Sequence, residues 1–93
     1  MNVTIVYEAQ LREVAGQSQA VIDAAGLGSL AALLQHVATR NESLRSRLLD
    51  EKGDLLPSLL IFLNEQPVQH GVAAAQPLAD GDTVLLLPPI SGG

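Results

Sequence analysis

Apolar and polar positions alternate in short, well-separated blocks along the chain. Val3, Thr4, Ile5, Val6 and Tyr7 are β-branched or aromatic without interruption, which predicts a first strand. Leu11 to Gly16 reads as a turn-rich connection. Ala20-Val21-Ile22 reads as a second, shorter strand that pairs antiparallel with the first. Ala24 to Gly28 is a loop of small residues. Leu30, Leu33, Leu34 and Val37 then fall at i, i+3, i+4 and i+7, the stripe of an amphipathic helix. Ser29 is a good N-cap for it. Ala32 stands where a full capping box would need Glu or Gln. Ser43 to Leu49 supports a further helical turn, and Asp50 to Asp54 is a polar loop.

The second half reads as strands. Leu59-Leu60-Ile61-Phe62-Leu63 is a continuous apolar run, as expected of a strand covered on both faces or showing one face to a partner. Asn64-Glu65-Gln66-Pro67 is turn chemistry, and Val68 opens a short edge strand. Gly71 to Ala79 is expected to be loop. Asp80-Gly81-Asp82 is a turn that leads into a last strand, Thr83 to Leu87. The order β-β-α-β-(β)-β defines an α+β fold in which one main helix covers one face of a small mixed sheet. A right-handed crossover through that helix lets a later strand lie parallel to the first. Several α+β rolls satisfy this pattern, and the β-grasp arrangement fits it best.

Ninety-three residues make one domain, of a size that buries roughly 60–65% of its unfolded surface. The boundaries expected are a folded body over 1–87 and a flexible tail over 88–93 that ends in two glycines. With 47% hydrophobic residues in so small a body, some apolar surface is expected to face a partner. The net charge of −5, with one Phe and one Tyr, argues against nucleic-acid binding by phosphate neutralisation and base stacking. It favours a partner with a basic face. The absence of cysteine removes disulfides, thiolate metal sites and thiol nucleophiles. Met1 to Thr4 has no signal-peptide character, and no apolar run reaches membrane-spanning length. A cytoplasmic protein that does not engage membranes is expected.

Side chains suggest little chemistry of their own. His36 and His70 have no metal-ligand spacing and read as solvated. Asp50, Glu51 and Asp54 do not follow a calcium-loop alternation, and Asp80 and Asp82 flank an ordinary turn. Ser91 has no base placed to activate it. No metal and no bound cofactor are expected, and the chain is not expected to act as an enzyme alone. The tail is the exception. Pro88 and Pro89 cannot donate to a sheet ladder, and they hold the exit extended. Ile90 is a lone apolar anchor, and Ser91, Gly92 and Gly93 are thin. The six residues from Pro88 to Gly93 span roughly 20 Å when extended, enough to place a carboxylate inside another protein. The bland alternative is a frayed end that happens to finish in glycines.

The run Leu87-Pro88-Pro89-Ile90-Ser91-Gly92-Gly93, joined to this strand order, resembles the ubiquitin-like sulfur-carrier proteins. Pro77 to Val84 is similar to that family's turn before its last strand. Val3 to Tyr7 with Ala9, Leu11 and Arg12 resembles its opening. The resemblance implies that an ATP-dependent adenylating enzyme, similar to the ubiquitin-activating enzymes, activates the Gly93 carboxylate. Sulfur then displaces AMP to leave a thiocarboxylate on Gly93. The resemblance further implies that Pro88, Pro89, Ile90, Ser91 and Gly92 enter a sulfur-accepting synthase, with Phe62 as the partner contact on the sheet. Pro88-Pro89 resembles the small subunit of molybdopterin synthase, which implies the large subunit as partner. Leu44 to Gly53 with Phe62-Leu63-Asn64 resembles the cysteine-pathway carriers, which implies a cysteine-synthase-like enzyme. Two other readings stay open: a ubiquitin-like modifier joined to lysines through Gly93, and a non-covalent interaction domain.

Overall fold

A computed structural model describes residues 1–88 of the chain. Five strands form one mixed sheet in the order β2-β1-β5-β3-β4. They are β1 (Asn2–Tyr7), β2 (Gln19–Asp23), β3 (Leu60–Leu63), β4 (Gln66–Val68) and β5 (Thr83–Leu87). β1 pairs antiparallel with β2, and β1 pairs parallel with β5, Ile5 lying opposite Val84. β3 pairs antiparallel with both β5 and β4. The parallel central pair requires the crossover that the sequence pattern predicts. This is the β-grasp fold.

Strand parity fixes the core. Side chains alternate between faces along a strand, and Val3, Ile5, Tyr7, Ile61, Val84 and Leu86 all point to one face, each at most 2% exposed. Onto them packs the helix α2 (Leu30–Arg40), through Leu30, Leu33, Leu34 and Val37. The predicted stripe is thus the buried stripe. Ser29 caps α2, its Oγ accepting a hydrogen bond from the Ala32 amide at 3.2 Å. Asn41 ends α2 in an extended conformation and starts the next helix, α3 (Glu42–Leu48). Its Oδ1 accepts from the amides of Ser43 at 3.0 Å and Leu44 at 3.2 Å. Leu44 and Leu48 of α3 extend the same core.

Three segments differ from the sequence expectation. Gln66 and Pro67, expected in the turn, are already strand, so that Val68 ends β4 rather than opening it. Leu11 to Gly16 is not a turn-rich link, because Gln10–Ala15 forms a short helix, α1. Leu11 is buried from this helix, and Val14 and Ala15 pack beside it at helical spacing. Gly16 closes the helix in the left-handed region at φ 76°, its amide donating to the Arg12 carbonyl at 3.0 Å. Core contact rather than propensity holds so short a helix. Likewise the expected loop from Gly71 to Ala79 contains a helical turn, α4 (His70–Ala73), which buries Ala73. The Gln76 carbonyl beyond it accepts from the Leu30 amide at 2.9 Å, which ties this loop to the start of α2.

Candidate functional site

The outer face of the sheet carries the residues of opposite parity. Val6 lies beside Leu85, Leu85 beside Phe62, and Phe62 beside Pro67, a row that crosses four strands. Leu60 and Leu87 form a second pair on the same face, two residues from Phe62 along β3 and from Leu85 along β5. Leu60 is 45% exposed, and Val6, Phe62, Leu85 and Leu87 are half-buried. Among the described residues no helix covers this row, so the strand run at Leu60–Leu63 divides: Ile61 serves the core while Leu60 and Phe62 serve the surface. Phe62, expected as the partner contact on the sheet, is half-buried on this outer face. Its companions Val6, Leu60, Leu85 and Leu87 were not singled out from sequence. The alternation of β5, with Val84 and Leu86 inward, is the signal that identifies them.

Beside Phe62 lies a depression of about 580 Å³, lined by Phe62, Asn64, Glu65, Thr83 and Leu85. Its polar side is a rigid turn. Asn64 and Glu65 both take positive φ, 49° and 72°, the pattern of a two-residue hairpin loop that glycine occupies most cheaply. Asn64 offsets its own strain by bonding. Its Oδ1 accepts from the Thr83 amide at 2.9 Å, and its Nδ2 donates to Asp82 Oδ1 at 2.8 Å. The Asn64 amide also donates to the Thr83 carbonyl at 2.8 Å. The β3–β4 turn is therefore clamped to the start of β5.

β5 ends at Leu87 opposite Leu60, and Pro88 follows, half-buried. The central strand thus delivers the chain between the end of β1 and the start of β3. The Glu8 amide donates to the Leu86 carbonyl at 3.1 Å and holds that exit against the end of β1. Tyr7, next to Leu86 on the core side, has its phenol pushed above the usual range by burial. Of the predicted tail residues, Pro88 is placed at this exit. Pro89, Ile90, Ser91, Gly92 and Gly93 lie outside the described residues.

Asp50, Asp80, Asp82 and one histidine have structural partners. Asp50 Oδ1 accepts from the amides of Lys52 at 2.8 Å and Asp54 at 3.0 Å, which folds its loop. Asp80 Oδ1 accepts from the Asn2 amide at 2.7 Å, and Asp82 Oδ2 from the Ala79 amide at 2.7 Å. His70 is not the solvated side chain expected. It is half-buried, with Nε2 2.6 Å from the Leu59 carbonyl, so Nε2 carries the proton and donates. His36 is half-buried on α2. Among the described residues, no group of His, Asp or Glu is gathered to hold a metal ion.

A β-grasp body whose central strand runs out beside an open apolar face defines a class of carrier and modifier domains. Within it, this chain belongs to the ThiS family of ubiquitin-like sulfur carriers, whose model matches residues 5–93. It is 32% identical to the sulfur carrier protein CysO of Mycobacterium tuberculosis over all of both chains. It is 33% identical to the molybdopterin synthase sulfur carrier subunit of Escherichia coli, over 98% of this chain and 99% of that one. Among solved structures, the crystal structure of SAMP1 from Haloferax volcanii superposes with a TM-score of 0.86 at 27% identity, covering all of both chains. Among the described residues, no helix is long and apolar enough to cross a membrane.

Proposed function

We propose that the chain carries sulfur on the carboxyl carbon of Gly93. Supporting this reading is the Leu87-to-Gly93 run, which continues directly from the central strand β5 in a member of a sulfur-carrier family. A free α-carboxylate has a pKa of about 3.3–3.7, so it is ionised at neutral pH and is a poor electrophile. In the proposed sequence a Gly93 carboxylate oxygen attacks the α-phosphorus of ATP on an adenylating enzyme, and pyrophosphate leaves. Hydrosulfide then adds to the acyl carbon, the carbon–oxygen bond to the phosphate breaks, and AMP leaves with that oxygen. The product is a Gly93 thiocarboxylate. The chain contains no cysteine, so a cysteine persulfide on the carrier is excluded.

The folded body supplies grip and aim. The Phe62, Leu85 and Leu60 face binds the partner, while Pro88 and Pro89 direct the tail toward the synthase's active site. The Pro88-Pro89 pair favours a molybdopterin-synthase large subunit as acceptor. The longer middle from Leu44 to Gly53, with Phe62-Leu63-Asn64, favours a cysteine-synthase-like enzyme.

Intact-mass analysis decides the central step. The chain is incubated with ATP, an adenylating enzyme from its own host and a sulfide source. The expected result is exchange of one carboxylate oxygen for sulfur at the C-terminal peptide, abolished by deleting Gly93. An unchanged C-terminus overturns the reading. A second reading, a protein modifier, is favoured by the close superposition on SAMP1. It requires Gly93-dependent amide bonds to lysines in the host, seen as a ladder of conjugates.

A further inference from the structure

A sheet of this order has two edges, β2 and β4, and they are finished differently. β4 is three residues long, with Pro67 at its middle. A short edge that carries proline offers little to a foreign strand. β2 runs five residues, Gln19-Ala20-Val21-Ile22-Asp23, without proline, lysine or glycine. Val21 at its centre is 61% exposed.

The hydrogen bonds of the hairpin set the phase of this edge. The Tyr7 amide donates to the Ser18 carbonyl at 2.9 Å, and the Ala24 amide donates to the Met1 carbonyl at 2.7 Å. In an antiparallel pair, bonded and non-bonded positions alternate. Ala20 and Ile22 therefore bond to β1, while Gln19, Val21 and Asp23 turn both N–H and C=O to the open edge. Three donor–acceptor pairs, spaced two residues apart, form a ready template for one more strand.

Alongside runs a groove of about 430 Å³ between β2 and α2, lined by Val21, Ile22, Asp23, His36 and Arg40. The Asp23 carboxylate is already engaged, accepting from the Ala25 amide at 3.1 Å and from the terminal ammonium of Met1 at 3.4 Å. Among the described residues, no carboxylate lies within 4.0 Å of the Arg40 guanidinium. On a chain of net charge −5, the charge left for a ligand here is cationic.

We propose that the open edge of β2, with Arg40 and His36 beside it, is a docking site for an extended apolar segment of a partner protein that carries flanking carboxylates. Main-chain bonds to Gln19, Val21 and Asp23 supply the ladder, alternate side chains of the segment fill the groove over Val21 and Ile22, and Arg40 receives the carboxylate. This surface is separate from the Phe62 face, and the proposal does not rest on chemistry at Gly93.

The test is an NMR titration of the full ¹⁵N-labelled chain with the peptide acetyl-Asp-Val-Ile-Val-Val-Asp-Asp-amide. The expected result is shifted and exchange-protected amides at Gln19, Val21 and Asp23. Val21→Pro deletes an edge donor that β1 does not use, and weakens binding about tenfold or more. Arg40→Glu, on the helix surface, does the same and removes the salt dependence, so it decides the matter if Val21→Pro does not fold. A lysine-flanked version of the peptide binds at least about tenfold more weakly. Three outcomes overturn the proposal: no perturbation of β2 at millimolar peptide, perturbation centred on Phe62 and Leu85, or equal affinity for both peptides. Sedimentation that shows β2 already paired with a second copy of the chain also overturns it.

Discussion

The two faces of the sheet are built from the same residue types and do opposite work. On one, Val3, Ile5, Ile61, Val84 and Leu86 are sealed beneath α2 and α3. On the other, Val6, Leu60, Phe62, Leu85 and Leu87 stay open in whole or part. Leu85 and Leu86 are chain neighbours of one residue type, yet one faces the surface and the other the core. Composition cannot separate them, whereas strand parity does. Burying a leucine stabilises by about 1.5–3 kcal/mol, so the covered face holds the fold. The open face is left as surface that a partner can remove from water.

Neighbouring truncations give the sharpest break in that comparison. Leu86→Ala is expected to cost about 2–5 kcal/mol in urea unfolding, the cost of a core cavity. Leu85→Ala should cost about 1 kcal/mol or less while weakening partner capture. Equal losses for the two would show that the outer face also holds the folded state together.

A smaller effect, of opposite sign, is expected at the rim of the open face. Glu65 sits at φ 72°, where a side chain carries about 1–2 kcal/mol of strain. Glu65→Gly relieves that strain and loses about 0.4–1 kcal/mol to the freer unfolded chain. A net gain of about 0.5–1 kcal/mol is expected by thermal or denaturant unfolding. A loss of stability would show that the Glu65 side chain is held by the fold.

The smallest effect concerns acid. The Ala25 amide bond, and then the Met1 ammonium, hold the Asp23 carboxyl below its ordinary value of 3.8. A carboxyl lowered in the folded state stabilises above its unfolded pKa, and that contribution fades as pH falls through the folded value. Asp23→Asn should therefore unfold more easily than the parent at pH 7, and the gap should begin to narrow near pH 3.8 and close as pH falls through the lowered folded value. A gap that persists at lower pH would assign the effect to packing rather than charge.

Much of the architecture was legible because it is local. Ser29 and the Leu30, Leu33, Leu34 and Val37 stripe marked α2, and Thr83 to Leu87 marked β5 to the residue. The segments misread were those whose form comes from distant contacts. α1 exists because Leu11 reaches the core, and α4 because Ala73 does. The lapse at His70 has the same origin: its partner, the Leu59 carbonyl, lies eleven residues away.

For the candidate site, the sequence by itself determined which side-chain chemistry is absent. With no cysteine in its 93 residues the chain has no thiol to carry a group, a fact of composition that needs no fold. Only the tertiary structure decided which apolar residues are surface. It set Val6, Leu85, Phe62 and Pro67 in one row by pairing strands far apart in the chain. It also left β2 with an open edge while β4 closed the other side with proline. Register and strand order are properties of the folded sheet, fixed by which side chains α2 and α3 bury.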